Sequence, residues 1–243
     1  MFDSILPISY YHEIAALNAE HKISVVQHIN NKKIYVKKEI DVYNFNVFSQ
    51  LFNNPIKNTP RIYALYENNG KLVVIEEYIS GDTLAEVLEI CGTLPESDVI
   101  RYAILLCDIL TSMHSFNPPI IHRDIKPSNT ILTEDGRIVL LDFNAAKIES
   151  GNKHKDTILL GTEDFAAPEQ FGFGSSTPQT DIYALGVLIN TLLTGDSATE
   201  TIASGRLHSI IERCLQLNPK DRYPSANALK AALMKQNNRS IFK

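Results

Sequence analysis

The stretch IIHRDIKPSNTILTEDGRIVLLDFNAAK, Ile120 to Lys147, sets two aspartates, a lysine and an asparagine around one hairpin signal. Thr130–Thr133 and Arg137–Leu141 read as short strands, and Glu134-Asp135-Gly136 between them reads as the turn. A hairpin returns the chain to its start. Asn129, just before it, and Asp142, just after it, are therefore expected to lie together. One carboxylate and one amide oxygen form a hard donor pair of the kind that suits Mg²⁺, which completes its shell with waters and phosphates. Asp124 and Lys126 would border such a site. Taken singly, each of these residues reads equally well as a polar turn residue.

Outward from this stretch, the first third of the chain is strand-like. ISVVQHI (23–29) and KKIYVKKEI (32–40) flank Asn30-Asn31, and RIYALYE (61–67) and KLVVIEEYI (71–79) flank Asn68-Asn69-Gly70. These predict two hairpins. Between them VYNFNVFSQLF (42–52) spaces Phe45, Phe48 and Phe52 as one short helix. Beyond residue 80 the period changes. DVIRYAILLCDILTSMHS (98–115) repeats apolar residues at helical spacing, with Pro95, Glu96 and Asp98 suited to its first turn. DIYALGVLINTLLTG (181–195) predicts a second core helix stopped by Gly195. The expected architecture is α+β in a single domain over 1–243. A strand-rich lobe spans about 1–76, a connector about 77–80 and a mainly helical lobe about 81–243, with a ligand cleft between the lobes.

The chain has 243 residues, 44% of them hydrophobic and 21% charged, which is ordinary for a protein with a real core. A formal net charge of −5 argues against a broad nucleic-acid footprint. Cys91, Cys107 and Cys214 have no paired spacing, which fits a reducing cytoplasm and argues against a zinc site or a disulfide framework. No uncharged apolar run reaches the roughly 18 residues of a membrane span, and the first residues do not form a signal peptide.

HRDIKPSN (122–129) with DFN (142–144) closely resembles the eukaryotic-type (Hanks-type) serine/threonine protein kinase family, here as a minimal and partly degenerate member. The resemblance covers nearly the whole chain. AAPEQ (166–170) is similar to the family's Ala-Pro-Glu motif. DIYALG (181–186) is similar to the opening of its central C-lobe helix, and NPKDRYPSA (218–226) to the late segment whose Arg222 would pair with Glu169. The resemblance implies a two-lobed fold that transfers the γ-phosphoryl group of ATP to serine or threonine of a protein substrate. Asp124 would take the hydroxyl proton, Lys126 would neutralise phosphoryl charge, and Asn129 and Asp142 would hold Mg²⁺, with Mn²⁺ as a substitute. Lys37 in IYVK would touch the α/β-phosphates. Val25 would cover adenine, and Glu77 and Ile79 would present backbone groups to it. Thr162 fits the serine/threonine class. Thr157 would be a phosphorylation site gripped by Arg123. Glu169, Asp181 and Arg222 would be structural. The rival readings are a pseudokinase scaffold and a small-molecule kinase of related fold.

Three departures from the family pattern carry expectations. Asn18, Glu20 and Ile23 stand where a glycine-rich loop is expected, so the loop would wrap phosphate less closely, with Glu20 turned to solvent. No Glu occurs between Ile40 and Tyr66 to pair with Lys37, so Glu76, at the gatekeeper position, is expected to hold it. Asn144 replaces the glycine of Asp-Phe-Gly and is expected to take positive φ in its stead.

Overall fold

The computed structural model describes residues 8–149, 162–172, 174–196 and 201–239. The chain divides into two compact units, Met1–Ser80 and Gly81–Lys243.

The N-terminal unit is a five-stranded antiparallel sheet with one helix. Its elements are β1 (Tyr11–Asn18), β2 (Ile23–His28), β3 (Ile34–Ile40), α1 (Phe45–Asn53), β4 (Ile62–Asn68) and β5 (Lys71–Glu77), in sheet order β1-β2-β3-β5-β4. Both predicted hairpins form. β1 carries register shifts after Glu13 and Ala16, is exposed along most of its length, and was not read from the sequence. Side chains alternate along a strand, and directly opposed residues of neighbouring strands share a face. One face carries the cluster Val26, Tyr35, Ala64 and Ile75, with the Tyr11 ring edge-on to Tyr35 at 5.5 Å. The helix α1 packs against β4 and buries Val47, Phe48 and Leu51. Asn44 starts it by accepting the Asn46 N–H at 3.1 Å.

The C-terminal unit contains β6 (Asp82–Thr83), α2 (Leu84–Cys91), α3 (Glu96–His114), β7 (Ile120–Ile121), β8 (Thr130–Leu132), β9 (Ile138–Leu140), β10 (Lys147–Ile148), α4 (Pro178–Thr194), α5 (His208–Cys214) and α6 (Ala226–Arg239). A reciprocal cap starts α2: Thr83 Oγ1 accepts the Glu86 N–H at 3.2 Å, and Glu86 Oε2 accepts the Thr83 N–H at 2.7 Å. The core forms where α3 packs on α4 and α6, and α4 on α5. A Cβ at Gly186 would overlap the Cys214 side chain, so glycine there sets how closely α4 and α5 approach. Gly195 ends α4 at φ 79°, with its N–H returned to Thr191 O at 2.8 Å. The helix begins three residues before the predicted Asp181, because Pro178 occupies its first turn. The hairpin β8–β9 forms with β6 beside β8, and β7 pairs with β10, so the two ends of the 120–147 stretch meet. Among the described residues no helix is long and apolar enough to cross a membrane.

Candidate active site

The hairpin ladder pairs Thr130 with Leu140, and one step further the Leu141 N–H donates to Asn129 O at 2.8 Å. Asn129 and the residue before Asp142 are thus bonded, as the hairpin argument requires. His122 bridges the same strand end: its Nε2 meets Leu141 O at 3.0 Å, and its Nδ1 meets the Asp124 N–H at 3.3 Å. A carbonyl only accepts, so Nε2 carries the proton and Nδ1 accepts.

The backbone before Asp124 is fixed from α4. Asp181, fully buried, accepts the His122 N–H on Oδ2 and the Arg123 N–H on Oδ1, each at 2.9 Å. His114, at the end of α3, adds a third bond to Oδ2 at 2.8 Å. These bonds hold Arg123 at φ 72°, a left-handed conformation costing about 1–2 kcal/mol. Asp124 then enters a dense net. Its Oδ2 receives Lys126 Nζ at 2.9 Å and Asn129 Nδ2 at 2.8 Å; its Oδ1 receives the Thr162 N–H at 3.0 Å and Thr162 Oγ1 at 3.1 Å. Lys126 Nζ also donates to Thr162 Oγ1 at 2.5 Å. Burial pushes the Asp124 carboxyl up. The Lys126 hydrogen bond and charge, with His122 and Thr162, outweigh it and hold the group below the usual carboxylate range. Asp124 is an ionised acceptor.

Asn129 spends its amide N–H groups on Asp124 O and Oδ2. Among the described residues nothing donates to its Oδ1, so that oxygen is available to a cation. Asp142 adds a carboxylate whose Oδ1, among the described residues, accepts the Asn144 N–H at 3.3 Å. Among the described residues no three His, Cys, Asp or Glu side chains cluster as a metal cage. The donors therefore fit an ion such as Mg²⁺ that keeps waters and phosphate oxygens in its shell.

The expected geometry at Asn144 is corrected. Positive φ falls on Asp142, at 61°, and not on Asn144. Asn144 supplies its N–H to the Asp142 carboxylate, so the aspartate itself takes the left-handed turn that aims it.

The Ala-Pro-Glu segment is anchored as the sequence suggests. Glu169 and Arg222 pair through two bonds of 2.8 and 2.9 Å, both side chains buried. Arg222 gives its remaining donors to the carbonyls of Gln216, Gln179 and Leu217, so all five N–H groups are used. Thr180 Oγ1 donates to Glu169 Oε1 at 2.8 Å. Gln170 joins this segment to the loop that carries Asp124: its Nε2 donates to Arg123 O and its Oε1 accepts the Ala167 N–H, both at 3.0 Å. His114, Gln170 and Thr180 escaped the sequence reading. Thr157 lies outside the described residues.

A sequence profile described as protein kinase domain matches residues 14–234. The chain belongs to the protein kinase family. It is 33% identical over 197 residues to serine/threonine-protein kinase PknA of Nostoc sp., covering 72% of this chain and 34% of that protein. It is 34% identical over 178 residues to serine/threonine-protein kinase F of Synechocystis sp., covering 66% and 36%. With PknL of Mycobacterium tuberculosis it shares 31% over 185 residues, covering 66% and 46%. The chain thus spans between about a third and a half of the length of these relatives.

Against the family pattern, this kinase chain turns from β1 to β2 without glycine. Asn18 Oδ1 caps the turn by accepting the His21 N–H at 3.0 Å, Lys22 takes φ 53°, and Glu20 is exposed, as expected. The expected Lys37–Glu76 pair does not form. Lys37 Nζ meets Glu39 Oε1 at 2.6 Å, and Glu76 Oε1 instead meets Lys38 Nζ at 2.7 Å. The cause is strand parity. Val25 opposes Val36, Val36 opposes Glu76, and Lys38 follows Val36 by two, so these four share a face; Lys37 opposes Ile75 on the other. The Lys37 hydrogen bond pulls the Glu39 carboxyl below its ordinary value, so that lysine's charge is already engaged. At the end of β5, Glu77 is tied to Arg61 on both sides. Its N–H donates to Arg61 O at 2.8 Å, and its Oε2 accepts the Arg61 N–H at 3.2 Å. Ile79 is half-buried.

Proposed function

We propose that this chain transfers the γ-phosphoryl group of ATP to serine or threonine hydroxyls of a protein substrate, itself included. The observation that carries this reading is the ionised Asp124 held by Lys126, Asn129 and Thr162. An acceptor so placed takes the proton of an incoming alcohol while the alcohol oxygen bonds to phosphorus and the bond to ADP breaks. Lys126, already against Asp124, offers its charge to the phosphoryl oxygens. Thr162 holds the proton acceptor in orientation. A Mg²⁺ ion on Asn129 Oδ1 and Asp142 would supply charge neutralisation to the nucleotide phosphates. The Glu169–Arg222 anchor supports a protein rather than a small-molecule substrate, since it fixes the segment that the family uses to seat a peptide. Three free cysteines fit a reducing compartment, so we place the protein in the cytoplasm.

The test is phosphate gain on the protein and on a generic protein substrate, followed by mass spectrometry with Mg²⁺-ATP. Asp124→Asn should lower transfer by about 10²–10⁴-fold. A wild type that gains and transfers no phosphate, while its melting temperature rises with Mg²⁺-ATP, would instead mark a nucleotide-binding scaffold.

A further inference from the structure

We propose that Lys38 is the lysine serving the nucleotide phosphates, and that Glu76 positions it from within the sheet. The inference rests on the kinase reading above. Lys38 and Glu76 have side chains only 9% and 7% exposed, with Nζ and Oε1 2.7 Å apart. Enclosing two charges is costly, and such a pair is weak evidence for stability by itself. A buried pair sharing its face with Val25 is better explained by what Lys38 does there. Lys37, paired to a neighbour on its own strand, faces the Val26, Tyr35, Ala64 and Ile75 cluster.

The helix α1 offers no acidic partner. FNVFSQLFN holds no acid, its buried positions are Val47, Phe48 and Leu51, and it packs on β4. The counter-charge is carried by β5, where Val36 opposes Glu76 and Lys38 opposes Val74. The ladder register therefore sets the distance between lysine and glutamate. Rotation of α1 neither makes nor breaks this pair, so the lysine stays poised whatever the helix does.

The test uses the full chain with an acyl-phosphate derivative of ATP plus Mg²⁺. The nearest lysine amine takes the acyl group and ATP is released. Peptide mass spectrometry should place the label on Lys38, and excess ATP should suppress it. Phosphoryl transfer and ATP affinity are then measured for Glu76→Gln, Glu39→Gln and the double variant Lys38→Met with Glu76→Met. Glu76→Gln should lose about 10²-fold in kcat/KM, and Glu39→Gln less than about fivefold. The double variant should keep its melting temperature, because apolar side chains of similar size replace the pair, yet lose about 10²-fold or more in transfer. Label on Lys37, label on neither lysine, equal losses from Glu76→Gln and Glu39→Gln, or a folded double variant with wild-type transfer would each overturn the proposal. Should the double variant not fold, the label site and the two single variants decide. A wild type labelled on Lys38 that transfers no phosphate sinks the kinase reading and leaves this one; transfer with label on Lys37 does the reverse.

Discussion

At the scale of single residues, Asp124 is governed by opposed influences. Burial alone would keep its proton on; Lys126, His122 and Thr162 take it off. Its native pKa lies below the unfolded value. Its ionised form therefore adds stability above the ordinary carboxylate range, and that contribution is lost as pH falls through the lowered native value. The acid limb of kcat should accordingly sit at low pH. Lys126→Met removes the largest of the lowering influences and should move that limb upward as well as reduce the rate; an unmoved limb in the pH–rate profile would refute the account. The same scale shows where the sequence misleads. Lys37 and Lys38 are adjacent and chemically identical, so a motif ending in lysine fits either. Only strand parity against Val36 and Glu76 separates them. Asn144 is a residue type that tolerates positive φ, yet the unusual dihedral fell on Asp142, a type that tolerates it as well, so residue type alone could not choose between the two.

Among elements, the hairpins, α1, α3, α4 and the β8–β9 turn were legible, because each rests on local periodicity or turn chemistry. The ties between them were not. His114 and Gln170 reach partners 67 and 47 residues away, and an isolated His or Gln carries no signal of such a bond. The Glu169–Arg222 tie was foreseen only through family likeness. Its energetics follow from burial. Glu169→Gln leaves the guanidinium without a counter-charge in a closed site and should cost about 3–5 kcal/mol in urea unfolding. A loss below about 1 kcal/mol would mean that the guanidinium finds water.

For the molecule as a whole, thiol chemistry reports whether the C-terminal unit is closed. Cys91 is exposed, whereas Cys107 and Cys214 are buried. Burial pushes the Cys107 thiol up and raises that of Cys214 to about 12, so neither supplies thiolate at neutral pH. A thiol-specific chromogenic reagent should find one fast group in the native protein and three in guanidinium. Two or three fast groups in buffer would show that the interior opens readily. A last consequence follows from Arg222. Its five donors are met by a carboxylate and three carbonyls, a demand that a lysine with three protons cannot meet. Arg222 thus anchors the Ala-Pro-Glu segment through Glu169 from a part of the chain far away in sequence. If the proposed function holds, Arg222→Lys should raise the KM for a protein substrate more than the KM for ATP; equal changes in steady-state kinetics would refute this.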